Sequence, residues 1–345
     1  MPSRVICIFS LVCGWALCGR PGIAQTPSSD ALRKQPEAIQ SLFHTRRHEA
    51  IRLLGAERSE SARALLLEVA LGQHGSLSRG WAATSYLNSL DDKREAVRLL
   101  DTDHSLVLNR ALLALHGQPL DDVLLRKLER FLQSDELAVR RDALGVMRYA
   151  TASGEPAAAM AATMILNSIE SCARLPHTEN VAFGSGIGWI QNFSQLDAFV
   201  VAALGALASS EAITLPALVR AEPPTSGLSR EAVIVARGIR GDATVLPEYR
   251  RLMEHSARPG VRLVAVEGFR MRATTEDLEL LERIRLHDPF VVALTEQERQ
   301  AGPAPHLGVG DREGYPIRFA ASSVVRFLQP SRWDDDRQGT RPGSQ

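Results

Sequence analysis

The sequence predicts an all-α fold of stacked helical hairpins, and three observations point to it. Apolar residues recur at intervals of three and four along most of the chain, which is the period of an amphipathic helix. Alternating runs suited to strands are nearly absent. An apolar trio at four-residue steps, with alanine at its centre, recurs several times. Because aromatic residues make up only 5% of the chain, leucine, alanine, valine and isoleucine must build the core.

The first thirty residues have the pattern of a secretory signal peptide. Arg4 is the only charged residue before an apolar run, Val5 to Leu17, that is too short to span a bilayer comfortably. Gly22 and Ala24 then place small residues at the −3 and −1 positions of a cleavage site. The sequence therefore predicts a signal peptide over residues 1–24 and an exported protein, either periplasmic or extracellular.

Cysteine usage fits an exported protein that is held together by packing. Removal of residues 1–24 leaves Cys172 as the only cysteine, and a lone thiol cannot form an internal disulfide. Its sequence neighbours offer no activating base, so we expect a buried and inert thiol. No later segment is apolar and long enough to cross a membrane, and we expect no stable membrane insertion after cleavage.

Residues 29–329 are predicted to form one domain of about fifteen helices with the ordinary length of globular helices. Short gaps rich in Gly, Asp and Pro separate the periodic segments. Several helix starts carry a capping residue followed by an acid. These are Asp92-x-x-Glu95, Ser134-Asp135-Glu136, Ser194-x-x-Asp197, Ser229-x-Glu231 and Thr274-x-x-Asp277.

The apolar trio marks an internal repeat. It occurs as Val107/Ala111/Leu115, Val139/Ala143/Met147, Val261/Ala265/Phe269 and Ile317/Ala321/Val325. A small alanine between two larger apolar residues lets a second helix approach closely. A helical hairpin of this kind cannot bury its apolar face alone and must stack on its neighbours.

With these residues the chain resembles a HEAT-repeat protein, especially the short bacterial type seen in phycobilisome-lyase HEAT-like repeats. The matching motifs are Val139-Arg140-x-x-Ala143, Gly241-Asp242-Ala243, Val261-Arg262-x-x-Ala265 and Ile317-Arg318-x-x-Ala321. Leu108 stands where the pattern has Arg, and no acid precedes Val261. The resemblance implies an α-solenoid whose surface binds protein partners. A lyase acting on a tetrapyrrole, as some relatives are, conflicts with export and has no supporting residues here.

Two irregular loops, at 172–194 and 301–315, are predicted to interrupt the repeats. The first gathers Phe183, Trp189 and Phe193 within eleven residues, and long loops in compact domains are often functional. These aromatics are our tentative binding residues. They either fold back over their own helices as a plug or contact a partner or ligand. Residues 330–345, which include Trp333-Asp334-Asp335-Asp336, lack periodicity and are predicted to be a disordered tail.

Signals for enzyme chemistry and for nucleic-acid binding are weak. The pair His44 and His48 shares a helical face, but no third ligand stands nearby, so we predict no metal site and no cofactor. No Gly-x-Ser-x-Gly elbow is present, although a Ser-His-Asp arrangement formed in space stays open. The chain has 40 basic and 40 acidic residues, so a cationic field for nucleic acid is not expected. We attribute the many interleaved arginines to ion pairing on exposed faces.

Together these observations predict an exported, non-enzymatic protein that binds or scaffolds protein partners through a helical-repeat surface. The alternative is an enzyme or ligand-binding protein whose site is built around the 172–194 loop.

Overall fold

The computed structural model describes residues 47–72, 74–175, 180–185, 188–223, 227–293 and 313–329. Over these ranges the protein is mostly helical, as the sequence predicts. The predicted signal peptide (1–24), the predicted tail (330–345) and residues 301–312 of the second predicted loop lie outside the described residues.

Short turns join the helices of the described residues. The α-helices are α1 (Arg47–Glu57), α2 (Glu60–Leu71), α3 (Ser76–Ser89), α4 (Ser105–Ala114), α5 (Asp122–Leu132), α6 (Leu137–Tyr149), α7 (Glu155–Ala173), α8 (Gln195–Ser209), α9 (Leu215–Ala221), α10 (Leu228–Ile239), α11 (Leu246–His255), α12 (Pro259–Phe269), α13 (Leu278–His287) and α14 (Pro316–Leu328). Three 3₁₀ segments stand among them, at Lys93–Asp101, Ala243–Val245 and Thr275–Asp277.

Side-chain caps begin several helices where the sequence predicts them. Asp92 caps the first 3₁₀ segment, and Thr274 with Asp277 forms a reciprocal capping box at the third. Ser229 differs from the prediction, because α10 begins one residue earlier and the Ser229 hydroxyl donates to the Glu170 carboxylate at 2.6 Å. The Ser229 hydroxyl therefore bonds to a residue of α7 rather than to an amide in the first turn of its own helix.

The helices pack in two alternating sets. The first-row helices are α3, α4, α6, α8, α10, α12 and α14, and each contacts the next. The second-row elements are α2, the 3₁₀ segment Lys93–Asp101, α5, α7, α9, α11 and α13, and each packs against the first-row helix that follows it. α8 also contacts α12 directly, so the first row is not limited to contacts between neighbours.

The repeat alanines lie inside this packing. Ala111, Ala143, Ala265 and Ala321 are each fully buried at the centre of a first-row helix. Their larger partners are buried as well, with Val139 as a partly buried exception. The four-residue spacing of the apolar trio therefore matches the buried face of the first-row helices.

The arginine of each Arg-x-x-Ala motif reaches a backbone carbonyl at the end of the preceding second-row helix. Arg140 donates to Ser134 O, Arg262 to Ser256 O and Arg318 to Asp288 O. Helix C-termini leave carbonyls unsatisfied and carry partial negative charge, so a guanidinium there is favourable. Arg140 and Arg262 are buried. The arginine content therefore includes buried helix caps, and the expected pairing on exposed faces accounts for only part of it.

The first predicted loop, at 172–194, differs from expectation. α7 continues to Ala173, and β1 (Asn180–Ser185) then pairs antiparallel with β2 (Gly188–Ser194) to form a hairpin. β-branched and aromatic residues around a glycine-rich turn favour such a hairpin. This short insertion in a helical chain is a two-stranded sheet.

The second insertion also contains a strand pair. β3 (Val292–Ala293) pairs antiparallel with β4 (Glu313–Gly314), and α14 begins at Pro316. Of the predicted loop at 301–315, only the last three residues are described, and two of them form β4.

Candidate functional site

The two insertions meet in space beside the start of α8. Strand β2 contacts strand β3, and both strands of the β1–β2 hairpin contact α8. We call this region the insert junction and define it as strands β1 to β4 with Asp197 and residues 288–291. It joins segments that lie about 100 residues apart in the chain.

Phe193 anchors the hairpin in the core. Its side chain is fully buried, and its ring meets the ring of Phe290 edge to face, with centroids 5.6 Å apart. Phe193 is the register partner of Val181 in the hairpin. An edge-to-face pair adds stabilisation beyond the area that it buries. For this residue of the predicted aromatic set, the structure shows a packing role.

The other two aromatics of that set lie on the same hairpin. In the backbone register Phe183 is opposite Ile190, and Trp189 is opposite Gly184. The side chains of Phe183 and Trp189 lie outside the part of the structure that is described. The hairpin therefore brings the three residues into one element, and the described side chain, that of Phe193, is packed in the core.

Asp197 fastens the base of the hairpin to a distant helix. The Asp197 amide donates to Ser194 Oγ at 3.0 Å, and the Ser194 hydroxyl donates back to the carboxylate. The Gly260 amide, in the first turn of α12, donates to Asp197 Oδ1 at 3.0 Å. A Cβ at Gly260 would lie 2.8 Å from Asp197 O, so the close approach requires glycine. One buried carboxylate thus faces the positive N-terminal ends of both α8 and α12.

Asp288 connects the second insertion to the helices α12 and α14. Its carboxylate accepts from Arg262 Nε at 2.8 Å and from the Phe290 amide at 2.9 Å. Its backbone carbonyl accepts from Arg318 Nε at 2.8 Å. Asp288 and Arg262 are both buried, and a buried ion pair needs such additional hydrogen bonds to offset desolvation. The carboxylates of Asp197 and Asp288 are therefore committed to structural hydrogen bonds.

A groove of about 380 Å³ opens beside the hairpin base. It lies between the α5–α6 turn and the first residue of α8. Its lining residues are Asp135, Glu136, Leu137, Ala138, Arg141 and Gln195. Charges of both signs line it, and Gln195 directly follows the predicted loop.

A second surface is formed by exposed apolar side chains on the first-row helices. Leu113 of α4 and Tyr149 of α6 are 50% and 53% exposed. They follow the repeat alanines by two and six residues, which places them about 200–240° around the helix from the packed face. Leu77 and Trp81 lie one turn apart on α3 and are also exposed. We call Leu77, Trp81, Leu113 and Tyr149 the first-row patch.

Tyr149 is held in a defined setting within this patch. Its ring centroid lies 4.9 Å from that of His116 and 5.5 Å from the Arg148 guanidinium carbon. Burial lowers the pKa of His116, and the nearby Asp142 carboxylate opposes that effect. A neutral imidazole, a phenol and a guanidinium therefore line one spot, and Tyr and Arg are residue types enriched in protein interfaces.

Sequence reasoning missed the first-row patch. Its signal was present as large apolar residues on the helical face opposite the repeat alanines. To find it, one must count from each repeat alanine to the side chains on the opposite, exposed face of the helix.

Among the described residues, Ser76 and His104 come together as a Ser–His pair. The Ser76 hydroxyl is 3.0 Å from His104 Nε2, while His104 Nδ1 accepts from the Val107 amide and caps α4. An imidazole whose Nδ1 accepts a hydrogen bond carries its proton on Nε2 when neutral. Nε2 then donates to Ser76 and cannot take its proton, so this pair has the wrong polarity for a nucleophile and its base.

Two other candidate residues from the sequence, Cys172 and His48, pack against other parts of the protein. Cys172 is fully buried, and burial raises its pKa to about 11, which fits the inert thiol that the sequence predicts. The His48 ring packs against Trp81 with centroids 4.5 Å apart, and His44 lies outside the described residues. In the ranges that the structure describes, no three His, Cys, Asp or Glu residues cluster as a metal site.

The described helices contain no membrane span, and comparison with known proteins gives no family for this chain. No helix of the described residues combines the length and the apolar character needed to cross a bilayer. A scan against protein-family models returned no match to this chain, and a search of curated proteins returned none either.

Proposed function

We propose that this protein is an exported, non-enzymatic scaffold that binds partner proteins through its first-row patch. The observation that carries this proposal is the presence of large, exposed apolar side chains on three successive helices, α3, α4 and α6, each in contact with the next. Single exposed apolar residues are common, whereas contiguous patches mark interaction surfaces.

We also propose that the stacked hairpins form a HEAT-like α-solenoid. The unbroken series of first-row contacts from α3 to α14 supports this arrangement. So do the buried repeat alanines and the arginines that bind the ends of the preceding helices. Stacked repeats give an extended surface, which suits recognition of large partners better than enclosure of a small substrate.

Export is the third part of the proposal. It rests on the basic residue, the short apolar run and the Gly22-Ile23-Ala24 exit at the start of the chain. The protein would then act in the periplasm or outside the cell. Cys172, the one cysteine that cleavage after Ala24 would leave, is buried, which is compatible with an oxidising compartment.

The alternative, a ligand-binding site or enzyme around the 172–194 segment, has one observation in its favour. The 380 Å³ groove lies directly beside the hairpin base and presents Asp135, Glu136 and Arg141. Against it, the buried carboxylates of the insert junction already have hydrogen-bond partners.

The scaffold proposal is tested by binding measurements on matched variants. We expect Tyr149→Ala and Leu113→Ala to weaken capture of the partner from the native envelope by about 2 kcal/mol or more, as at interface hot spots. The melting temperature should change little, because both side chains are half exposed. Met160→Ala is the control, since Met160 is 47% exposed but lies on α7 of the second row.

Two results would contradict the proposal. If Met160→Ala weakens capture as much as Tyr149→Ala does, the patch has no specific role. If Trp189→Ala abolishes capture at an unchanged melting temperature while Tyr149→Ala has no effect, the binding site belongs to the insert junction.

A further inference from the structure

The C-terminal ends of α12 and α14 form an exposed edge of apolar and basic side chains. Met271, two residues beyond the end of α12, is 82% exposed, and Phe327 in the last turn of α14 is 50% exposed. The Arg270 guanidinium lies over the Phe327 ring at 4.8 Å from its centroid. We call Arg270, Met271, Arg272 and Phe327 the C-terminal edge.

The positive charge of this edge is not neutralised within the described part of the chain. There, neither Arg270 nor Arg272 forms a salt bridge, and the Arg272 guanidinium packs beside Gly241. By contrast, arginines on the neighbouring helices are paired with carboxylates. Arg250 pairs with Asp277 at 2.8 Å, and Arg283 pairs with Glu254 at 3.0 Å. The edge therefore combines two unpaired guanidinium groups with two exposed apolar side chains.

The sequence that follows α14 has the complementary chemistry. α14 ends at Leu328, Gln329 has left the helical conformation, and Pro330 prevents the helix from continuing. The run Trp333-Asp334-Asp335-Asp336 follows at once, with one large aromatic and three carboxylates.

The tether is long enough for this run to reach the edge. Trp333 lies four positions after Gln329, and an extended chain spans about 3.5 Å per position, or roughly 14 Å here. Phe327 lies in the turn from which the tether leaves. Arg332 and Arg337 flank the acidic run, so its negative charge is confined to the three aspartates.

We propose that residues 333–336 dock on the C-terminal edge of their own chain. The Trp333 indole packs on Met271 and Phe327, since both thioether–aromatic and aromatic–aromatic contacts are favourable. The aspartates pair with Arg270 and Arg272. A bound four-residue segment needs no periodicity, so the aperiodic sequence of the tail is no obstacle.

This docking covers the last part of the first row and is independent of the first-row patch at the other end. Short flexible tethers hold a segment at an effective concentration of order millimolar. A millimolar affinity is therefore enough to occupy about half of the molecules.

Hydrogen exchange of the full-length chain tests the proposal. The amides of Arg272 and Ala273 both donate to Phe269 O at 2.8 Å, so their exchange reports opening of the turn that carries the edge. We expect these amides to exchange about twofold faster in D334N/D335N/D336N, because half-occupancy of a tethered site halves the open fraction. The control is Asp103→Asn, a carboxylate whose side chain is 99% exposed on a distant part of the chain.

A second variant makes the test specific. Arg270→Gln with Arg272→Gln should speed exchange equally, and adding it to the triple aspartate variant should produce no further change. Equal exchange in the wild type and the triple variant would overturn the proposal. Protection that grows with protein concentration would also overturn it, because the tail would then be docking on a second copy.

Discussion

Small residues set how closely the helices of this protein approach one another. The Tyr249 hydroxyl donates to the backbone carbonyl of Ala265 at 2.6 Å, a contact that requires a small side chain at that point. A Cβ at Gly238 would lie 2.4 Å from the ring of the same tyrosine. α10, α11 and α12 therefore pack around the Tyr249 ring, and no space is left there for a larger side chain.

Overpacking of the repeat alanines is the prediction at this scale. Ala143→Leu or Ala265→Leu should lower the free energy of unfolding by about 1–3 kcal/mol, because extra methylenes force side chains and backbone apart. Arg141→Gln, on a partly exposed face of α6, should change it by no more than about 0.5 kcal/mol. Urea denaturation measures both effects, and equal shifts for the buried and the surface change would show that the repeat register is wrong.

At the scale of elements, two features hold the β1–β2 hairpin in place. One is a buried aromatic ring, and the other is the cap that begins the next helix. Phe193 lies in the core, and Ser194 begins α8. A two-stranded hairpin is marginal alone in water, so packing on α8 and contact with β3 must supply its stability.

Removal of the anchor should be costly. We expect Phe193→Ala to lower the free energy of unfolding by about 3–5 kcal/mol, as for other buried aromatics. Val219→Ala on α9 is a suitable control, since Val219 is 48% exposed and should change stability by about 0.5 kcal/mol or less. An unchanged denaturation midpoint for Phe193→Ala would mean that the hairpin does not contribute to the fold.

The elements differ in how far the sequence predicts them. The Ser194-x-x-Asp197 cap and the alanine trios are local signals, and the structure shows the capping bond and the buried alanines. The hairpin was missed because its alternation is short and is interrupted by glycines. The Phe193–Phe290 and Asp197–Gly260 contacts leave no local signal, since each joins residues more than sixty positions apart.

At the scale of the whole molecule, the proposed export makes a direct prediction about the mature protein. Cleavage after Ala24 should leave a chain that begins at or within a few residues of Gln25. Mass spectrometry of the N-terminus of protein recovered from the native host measures this. Recovery of an intact Met1 from a cytoplasmic fraction would exclude export by this signal.

The double contact of α8 has a mechanical consequence. α8 touches both α10 and α12, and the insert junction adds a brace between their ends. From α3 to α6 the first row has only links between neighbours, so that part can bend by small rotations at each link. Between α8 and α12, a rotation would have to break this additional contact as well. Under load we therefore expect bending to concentrate before α8, and the part from α8 to α12 to resist it.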